Sequence, residues 1–281
     1  VAAARDALHE ADRIESALTV FRDSDLVHVN RSAGDGPVAI SPELFALLAR
    51  CRDLHADTGG AFDITSTPLS RAWGFLARAP QVPSPDALDS ARARVGMEAI
   101  DLRDGTVQFV RTPRELNLGS IGKGYAVQCI ADALAARGVR HALISAGTSS
   151  VVALGGRGEG WPIDICSRQL GGARLARLHL RNGALGTSGA GEQFVDADGR
   201  RYGHVLDPRT GWPAAGVVSA SVVHADGATA DALATACLVG GLDLACAYCA
   251  AHPDTLVLIT PAGGQRPVQF GAFPGALVED L

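Results

Sequence analysis

The sequence predicts an α+β fold with mixed, largely antiparallel sheets and helices packed against them. Three observations carry that expectation. Apolar residues recur at helical spacing in several segments. Short apolar runs bounded by Gly, Pro, Asp and Asn crowd the middle of the chain. The two kinds of segment do not alternate in a regular β-α-β beat.

The 281 residues suffice for one large domain or two small ones. With 47% hydrophobic and 20% charged residues, the composition is that of an ordinary globular protein. A net charge of −5 and the lack of any Lys/Arg block argue against nucleic acid and membrane surfaces as partners. No apolar run is read as reaching transmembrane length, and no signal peptide opens the chain, which begins with Val1. Lysine occurs only at Lys123. Cys51, Cys129, Cys166, Cys237, Cys246 and Cys249 read as free, mostly buried thiols, which favours a reducing compartment. Cys246 and Cys249 have redox or zinc spacing, but no second pair or nearby His completes a zinc site.

Taken in order, Leu8, Ala11, Ile14 and Leu18 form an amphipathic helix, and Ser24 to Asn30 follows as a polar loop. Ser41-Pro42-Glu43 starts a helix whose apolar stripe is Leu44, Leu47, Leu48, Cys51 and Leu54. It ends near Thr58-Gly59-Gly60. The run from Ala61 to Leu69 then reads as a loop, either one that approaches a ligand or the polar sequel of a helix C-cap. After Trp73-Gly74-Phe75 and a Pro-rich connector from Pro80 to Pro85, Ser84-Pro85-Asp86 opens a short helix that Gly96 closes. Gly105 to Val110 is a strand. From Leu116 to Val127 a strand end, a Gly-spaced loop and a helix start are superposed, and the helix continues to Gly138. Glycines and a Lys at a helix N-terminus suit a phosphate, although the spacing is neither a Walker nor a Rossmann fingerprint.

Strands are expected at His141–Ala146, Ser150–Leu154, Pro162–Cys166, Arg177–Leu180 and Ala184–Thr187. Glu192–Val195, a turn at Asp198-Gly199 and Tyr202–Leu206 form a hairpin that delivers Asp207-Pro208-Arg209-Thr210-Gly211-Trp212-Pro213. That rigid turn suits fixed catalytic groups, or uses its Asp, Pro, Thr and Gly for geometry alone. Val217–His224 is a strand, Ala230–Val239 and Asp243–Ala251 are helices, and Thr255–Thr260 and Pro267–Phe270 are strands. Asp231 and Thr235, one turn apart, suit a hard cation, or else a helix cap and a hydroxyl bonded back to its own helix.

These motifs appear together, in order, in one family. The chain resembles ApbE-type FAD:protein FMN transferases at Ser24-Asp25-Leu26 with Asn30, at Gly59-Gly60-Ala61-Phe62-Asp63-Ile64-Thr65, at Pro68-Leu69 with Trp73-Gly74-Phe75, and at Leu118-Gly119 with Ile121 and Lys123-Gly124-Tyr125-Ala126. The resemblance continues at Thr187-Ser188-Gly189, at Tyr202, His204 and Leu206 to Gly211, and at Ala230 to Ala236. It implies a T-fold-type architecture: one domain over 1–281, or two subdomains with the FAD site between them. The implied reaction moves the FMN half of FAD onto a Thr or Ser hydroxyl of an acceptor protein, with Mg²⁺, releasing AMP. The site residues carried over by resemblance are His204 as catalytic base, Asp231, Thr235 and the carbonyl of Ser120 for Mg²⁺, and Phe21, Ala61, Phe62, Asp63, Asn117, Lys123, Val205 and Ala234 around FAD. Family members are mostly exported and lipid-anchored.

Four departures stand out. Asn117 and Gln128 replace frequent Asp residues, Gly147-Thr148-Ser149 replaces a Gly-Gly pair, and an N-terminal Met-Gly-Thr strand is lacking. Asp226-Gly227-Ala228-Thr229 resembles the family's own acceptor sequence, which raises self-modification. Two further activities use the same residues: hydrolysis of FAD to FMN and AMP, and flavin binding without turnover.

Overall fold

The computed structural model describes residues 2–111, 114–167, 171–189, 191, 193–197, 199–264 and 266–279. Helix α1 (Ala2–Leu18) opens the chain. The next segment differs from the sequence expectation. Ser24–Asn30, expected as a loop, contains most of helix α2 (Asp25–Ser32), with Ser24 as the N-cap accepting from Val27 N–H. Leu26 and Val29 supply a buried stripe just one turn long, too short to show as periodicity.

Strand β1 (Val38–Ala39) leads to α3 (Pro42–Asp57), which starts as expected: Ser41 accepts from Leu44 N–H, and the whole predicted stripe is buried. The expected Ala61–Leu69 loop is interrupted by the short α4 (Thr67–Ala72), and Ser84 caps α5 (Pro85–Arg92). Strands β2 (Ile100–Arg103) and β3 (Thr106–Phe109) precede α6 (Gly122–Ala136). Five strands follow: β4 (Ala142–Ala146), β5 (Ser150–Leu154), β6 (Trp161–Ser167), β7 (Ala173–Leu180) and β8 (Gly183–Gly189). The predicted hairpin is β9 (Phe194–Ala197) with β10 (Arg200–Gly203), Tyr202 opposite Val195. Glu192 and Asp198, assigned to it from sequence, lie outside the described residues. Strand β11 (Val217–His224), helix α7 (Gly227–Ala251), β12 (Leu256–Pro261), β13 (Val268–Gly271) and β14 (Ala276–Glu279) complete the order.

The chain divides into two compact units. The first comprises Val1–Ile14, Gly119–Glu192 and Ala214–Leu281. Its main sheet is six-stranded, β13-β12-β11-β8-β5-β4, with antiparallel neighbours throughout. The apolar run of β11 is buried from Val217 to Val223, as suits a central strand covered on both faces. A second sheet, β14-β7-β6, contributes Ile165, Leu175, Leu178 and Leu180 to a core shared with Leu185, Val223, Leu256 and Leu258. Among the described residues α7 is the one helix long and apolar enough to span a membrane by length and composition, against the expectation that no such run exists. Half of that stretch is buried within the protein. Gly241 (φ 67°, ψ −155°) breaks the helix in the interval between the two helices expected from sequence.

The second unit comprises Glu15–Leu118 and Gln193–Pro213. It holds the small sheet β1-β3-β2, the β9–β10 hairpin and α2 to α5. Its core includes Leu69, Trp73, Phe75, Leu88, Ala91 and Leu206. Trp73 is fully buried, and its indole N–H donates to Gly211 O at 2.9 Å, so the ring both fills the core and fixes the following turn.

The expected pool of buried thiols is only partly found. Cys51, Cys237 and Cys249 are buried, whereas Cys166 and Cys246 are exposed. Burial raises the Cys51 thiol pKa and pushes Cys237 up to about 12 and Cys249 up to about 11. The thiolate is the reactive form. Iodoacetamide at pH 8 is therefore expected to modify Cys166 and Cys246 in the native protein and to reach Cys51, Cys237 and Cys249 only after denaturation. Peptide mass mapping before and after unfolding checks this, and rapid native labelling of Cys51 would contradict it.

Candidate functional site

In the first unit the chemistry gathers where α6 meets α7. Glycines permit the approach. A Cβ on Gly124 would stand 2.0 Å from Gly227 O and 2.6 Å from the Asp231 Cβ. One on Gly186 of β8 would stand 2.3 Å from Ala230 O. Asp231 is thus held between two backbones that come close only because neither residue carries a side chain.

Its carboxylate is 3% exposed and accepts the Gly124 N–H at 2.9 Å and the Ser150 hydroxyl at 3.1 Å. Burial raises its pKa, while the charge of Lys123, the Gly124 N–H and the Ser150 hydroxyl pull the other way. One helical turn on, the Thr235 hydroxyl lies 3.0 Å from that of Ser188 and 3.5 Å from Asp231 O. Thr235 thus bonds back to its own helix and also joins a cluster of oxygens, while Asp231 does not cap the helix. The actual N-cap of α7 is Asp226. Ser120 lies in the turn before α6, Lys123 is exposed in its first turn, and Ala234 is buried on α7.

Carboxylate, hydroxyl and carbonyl oxygens are the donor set of a hard cation. A buried carboxylate whose burial disfavours its charge fits one as well. Ser150 and Ser188, which orient Asp231 and Thr235, are not singled out by the sequence. Ser188 belongs to the Thr187-Ser188-Gly189 motif of the resemblance but lies on strand β8 and is given no role there, and Ser150 carries no signal until the strands are paired.

Thr229 is a cap member. Its N–H and its hydroxyl both donate to Asp226 Oδ1, at 2.8 and 2.9 Å. Gly227 and Ala228 are buried, which disfavours Thr229 as a self-acceptor. Gln128 ties α6 to α7, because its Oε1 accepts the Gly227 N–H at 2.9 Å and so satisfies one of the open donors at the start of α7.

In the second unit, Asn30 of α2 accepts the Leu116 N–H at 2.8 Å and donates to Leu116 O at 2.9 Å. That double bond fixes the extended segment in which Asn117 donates its N–H to Ile64 O at 2.9 Å. Ala61, Phe62 and Asp63 are all buried. The Phe62 ring lies in the core, its N–H donates to the Thr58 hydroxyl at 3.2 Å, and its carbonyl is 3.0 Å from His55 Nδ1. Phe21 is the opposite case, 82% exposed. Asp63 Oδ1 accepts the Thr65 N–H at 2.7 Å and the Thr65 hydroxyl at 2.6 Å, and Oδ2 lies 3.4 Å from His55 Nδ1.

Burial, the largest influence on Asp63, raises its pKa above the ordinary 3.8, against the Thr65 bonds and His55. A carboxyl that holds its proton more tightly when folded contributes stability below the unfolded value of 3.8, and that contribution is lost as pH rises through the folded value. Asp63→Asn is therefore expected to flatten the fall in melting temperature as pH rises from about 4 toward neutrality. Superimposable Tm–pH curves for variant and wild type would refute this.

The Asp207–Pro213 turn is closed by Asp207 itself. Its carboxylate accepts from Arg209 N–H, Nε and Nη2, each at 2.9 Å, and its carbonyl accepts the Gly211 N–H at 2.8 Å. The hairpin before it ends at His204, whose N–H donates to Gln193 O at 3.0 Å. The His204 ring stands edge-on to Phe75 at 6.4 Å, and both His204 and Val205 are half-buried.

The architecture is that of solved flavin transferases. The apo flavinyl transferase ApbE of Pseudomonas stutzeri superposes with a TM-score of 0.84 at 27% identity, covering 96% of this chain and 86% of that one. The flavin transferase ApbE of Vibrio cholerae gives 0.83 at 28% identity, covering 95% and 88%. Among curated proteins, the FAD:protein FMN transferase of Treponema pallidum (strain Nichols) is 34% identical over 259 residues, 85% of this chain and 71% of that protein. The model of the ApbE family matches residues 1–259. The chain belongs to the ApbE family and is a transferase.

Proposed function

We propose that this chain moves the FMN half of FAD onto a Thr or Ser hydroxyl of an acceptor protein and releases AMP, with Mg²⁺ held by Asp231, Thr235 and the carbonyl of Ser120. The observation that carries the reading is the buried Asp231 carboxylate with the Thr235 hydroxyl one turn on, in a chain similar to FAD:protein FMN transferases. When bound, Mg²⁺ polarises the phosphoryl oxygens. Lys123 and the N-terminal end of the α6 dipole offset the remaining negative charge. His204 accepts the proton of the attacking hydroxyl, a role suited to imidazole near neutral pH. Asp231 and Thr235 are kept in position by Gly124, Ser150 and Ser188, so little reorganisation accompanies the reaction.

The test is incubation with FAD, Mg²⁺ and a peptide containing Asp-Gly-Ala-Thr, following peptide mass and AMP together. The expected result is a mass gain of one FMN on the Thr, matched by AMP. AMP without peptide modification would identify hydrolysis instead. Intact bound FAD would identify a binder, in which case recovery of turnover in Asn117→Asp would locate the defect.

A further inference from the structure

A second cluster of ligating groups lies in the first unit, away from Asp231 in sequence and on different elements. Glu159, in the turn between β5 and β6, His179 on β7 and Glu279 on β14 each offer one ligand atom, and these atoms all lie within 4.8 Å of one another. His179 Nε2 is 2.8 Å from Glu279 Oε1. We propose that these three residues form a binding site for a divalent transition-metal ion of the zinc class.

The placement is built by β7. Pairing of β14 with β7 sets Leu277 opposite His179 and Glu279 opposite Arg177. The turn carrying Glu159 is tied to the same strand, because the Arg181 guanidinium donates to Gly156 O and Gly158 O. Gly160 (φ 136°) lets that turn approach closely, since a Cβ there would stand 2.9 Å from both Leu180 N and O. The neighbouring cations make their hydrogen bonds elsewhere, although the charge of Arg177 is also felt by Glu279. Arg177 is committed to Asp164 at 2.8 and 3.1 Å, and Arg181 to the turn carbonyls. Two carboxylates converge on one imidazole, an arrangement a divalent ion neutralises directly.

The ligand set is also chemically selective. One imidazole nitrogen with two carboxylate oxygens suits zinc and its first-row neighbours better than Mg²⁺, which prefers oxygen alone. Ligands about 2.0–2.1 Å from zinc stand roughly 3.4 Å apart in a tetrahedron, so a small contraction of the group closes the shell. Glu159 is exposed and the His179 side chain is 15% exposed, so an ion can enter and water can take the remaining position. An ion here would join β14, β7 and the Glu159 turn.

The test uses the full chain in saturating Mg²⁺, titrated with Zn²⁺ against a chromophoric chelator. The wild type is expected to take up a single tight equivalent. His179→Ala and Glu159→Gln are each expected to weaken uptake by at least about 10-fold. Glu159→Gln changes an exposed turn, so its effect is separable from misfolding, and Zn²⁺ is expected to raise Tm less in it than in the wild type. Absence of tight Zn²⁺ uptake by the wild type overturns the proposal. So does uptake that survives in both variants but is lost when Cys246 and Cys249 are both replaced by serine.

Discussion

Replacing His204 with alanine is expected to slow flavin transfer by about 10²–10⁴-fold, the usual cost of removing a positioned general base. The substitution leaves the hairpin bond intact, because His204 holds Gln193 through its backbone N–H rather than its ring. Among what it removes from packing is an edge-on contact with Phe75, worth about 0.5–1.5 kcal/mol. The rate is expected to collapse by far more than any loss of folded protein at the assay temperature explains, which a melting curve of the variant checks. The pH profile carries the chemical signature. In the wild type the rate rises as an imidazole loses its proton, and in His204→Ala that limb disappears. A variant with near-normal turnover and an unchanged acid limb would sink the assignment.

Asp231→Asn is the second large effect, expected in the Mg²⁺ dependence. Asparagine keeps the shape: its carbonyl oxygen can still accept the Gly124 N–H, and its amide can donate to Ser150 once that hydroxyl turns. The negative charge is lost. Outer-shell partners alone cost about 10–100-fold in metal affinity when removed, so loss of a direct ligand should cost at least that. The half-saturating Mg²⁺ concentration is expected to rise accordingly, with partial rescue at high Mg²⁺. Asp231→Ala is the less informative change. It leaves the Gly124 N–H and the Ser150 hydroxyl buried without their acceptor, at about 1–3 kcal/mol for each such group, mixing lost stability with lost chemistry. An unshifted Mg²⁺ curve for Asp231→Asn would remove the metal from this position.

Local signals were legible where cap and stripe coincided. Ser41-Pro42 and the Leu44–Leu54 stripe gave α3 its start and its buried face, and Val217 to His224 was legible as a strand, though not as a central one. Signals failed where an element is short or its polar residues are used structurally. Asn30 reads as loop chemistry, yet it is a helical side chain that pins Leu116 from 86 positions away. Strands β2 and β14 have four residues each, and β14 acquires meaning only by pairing with β7. At the site, the residue types of Asp231 and Thr235 were visible in the pattern, whereas Ser150 and Ser188 became relevant only once the sheet had folded. The Asp63–Thr65 bond was within reach as a local turn, but the His55 partner depended on the phase of α3.

The close passage of Gly124 and Gly186 past α7 also bears on redesign. A methyl group on either glycine would fall within 2.3 Å of a main-chain oxygen of α7, so enlarging either one would push the helix away bodily. The position of the Asp231 carboxylate is therefore set by main-chain spacing. Moving that carboxylate would mean re-spacing the scaffold rather than exchanging one side chain.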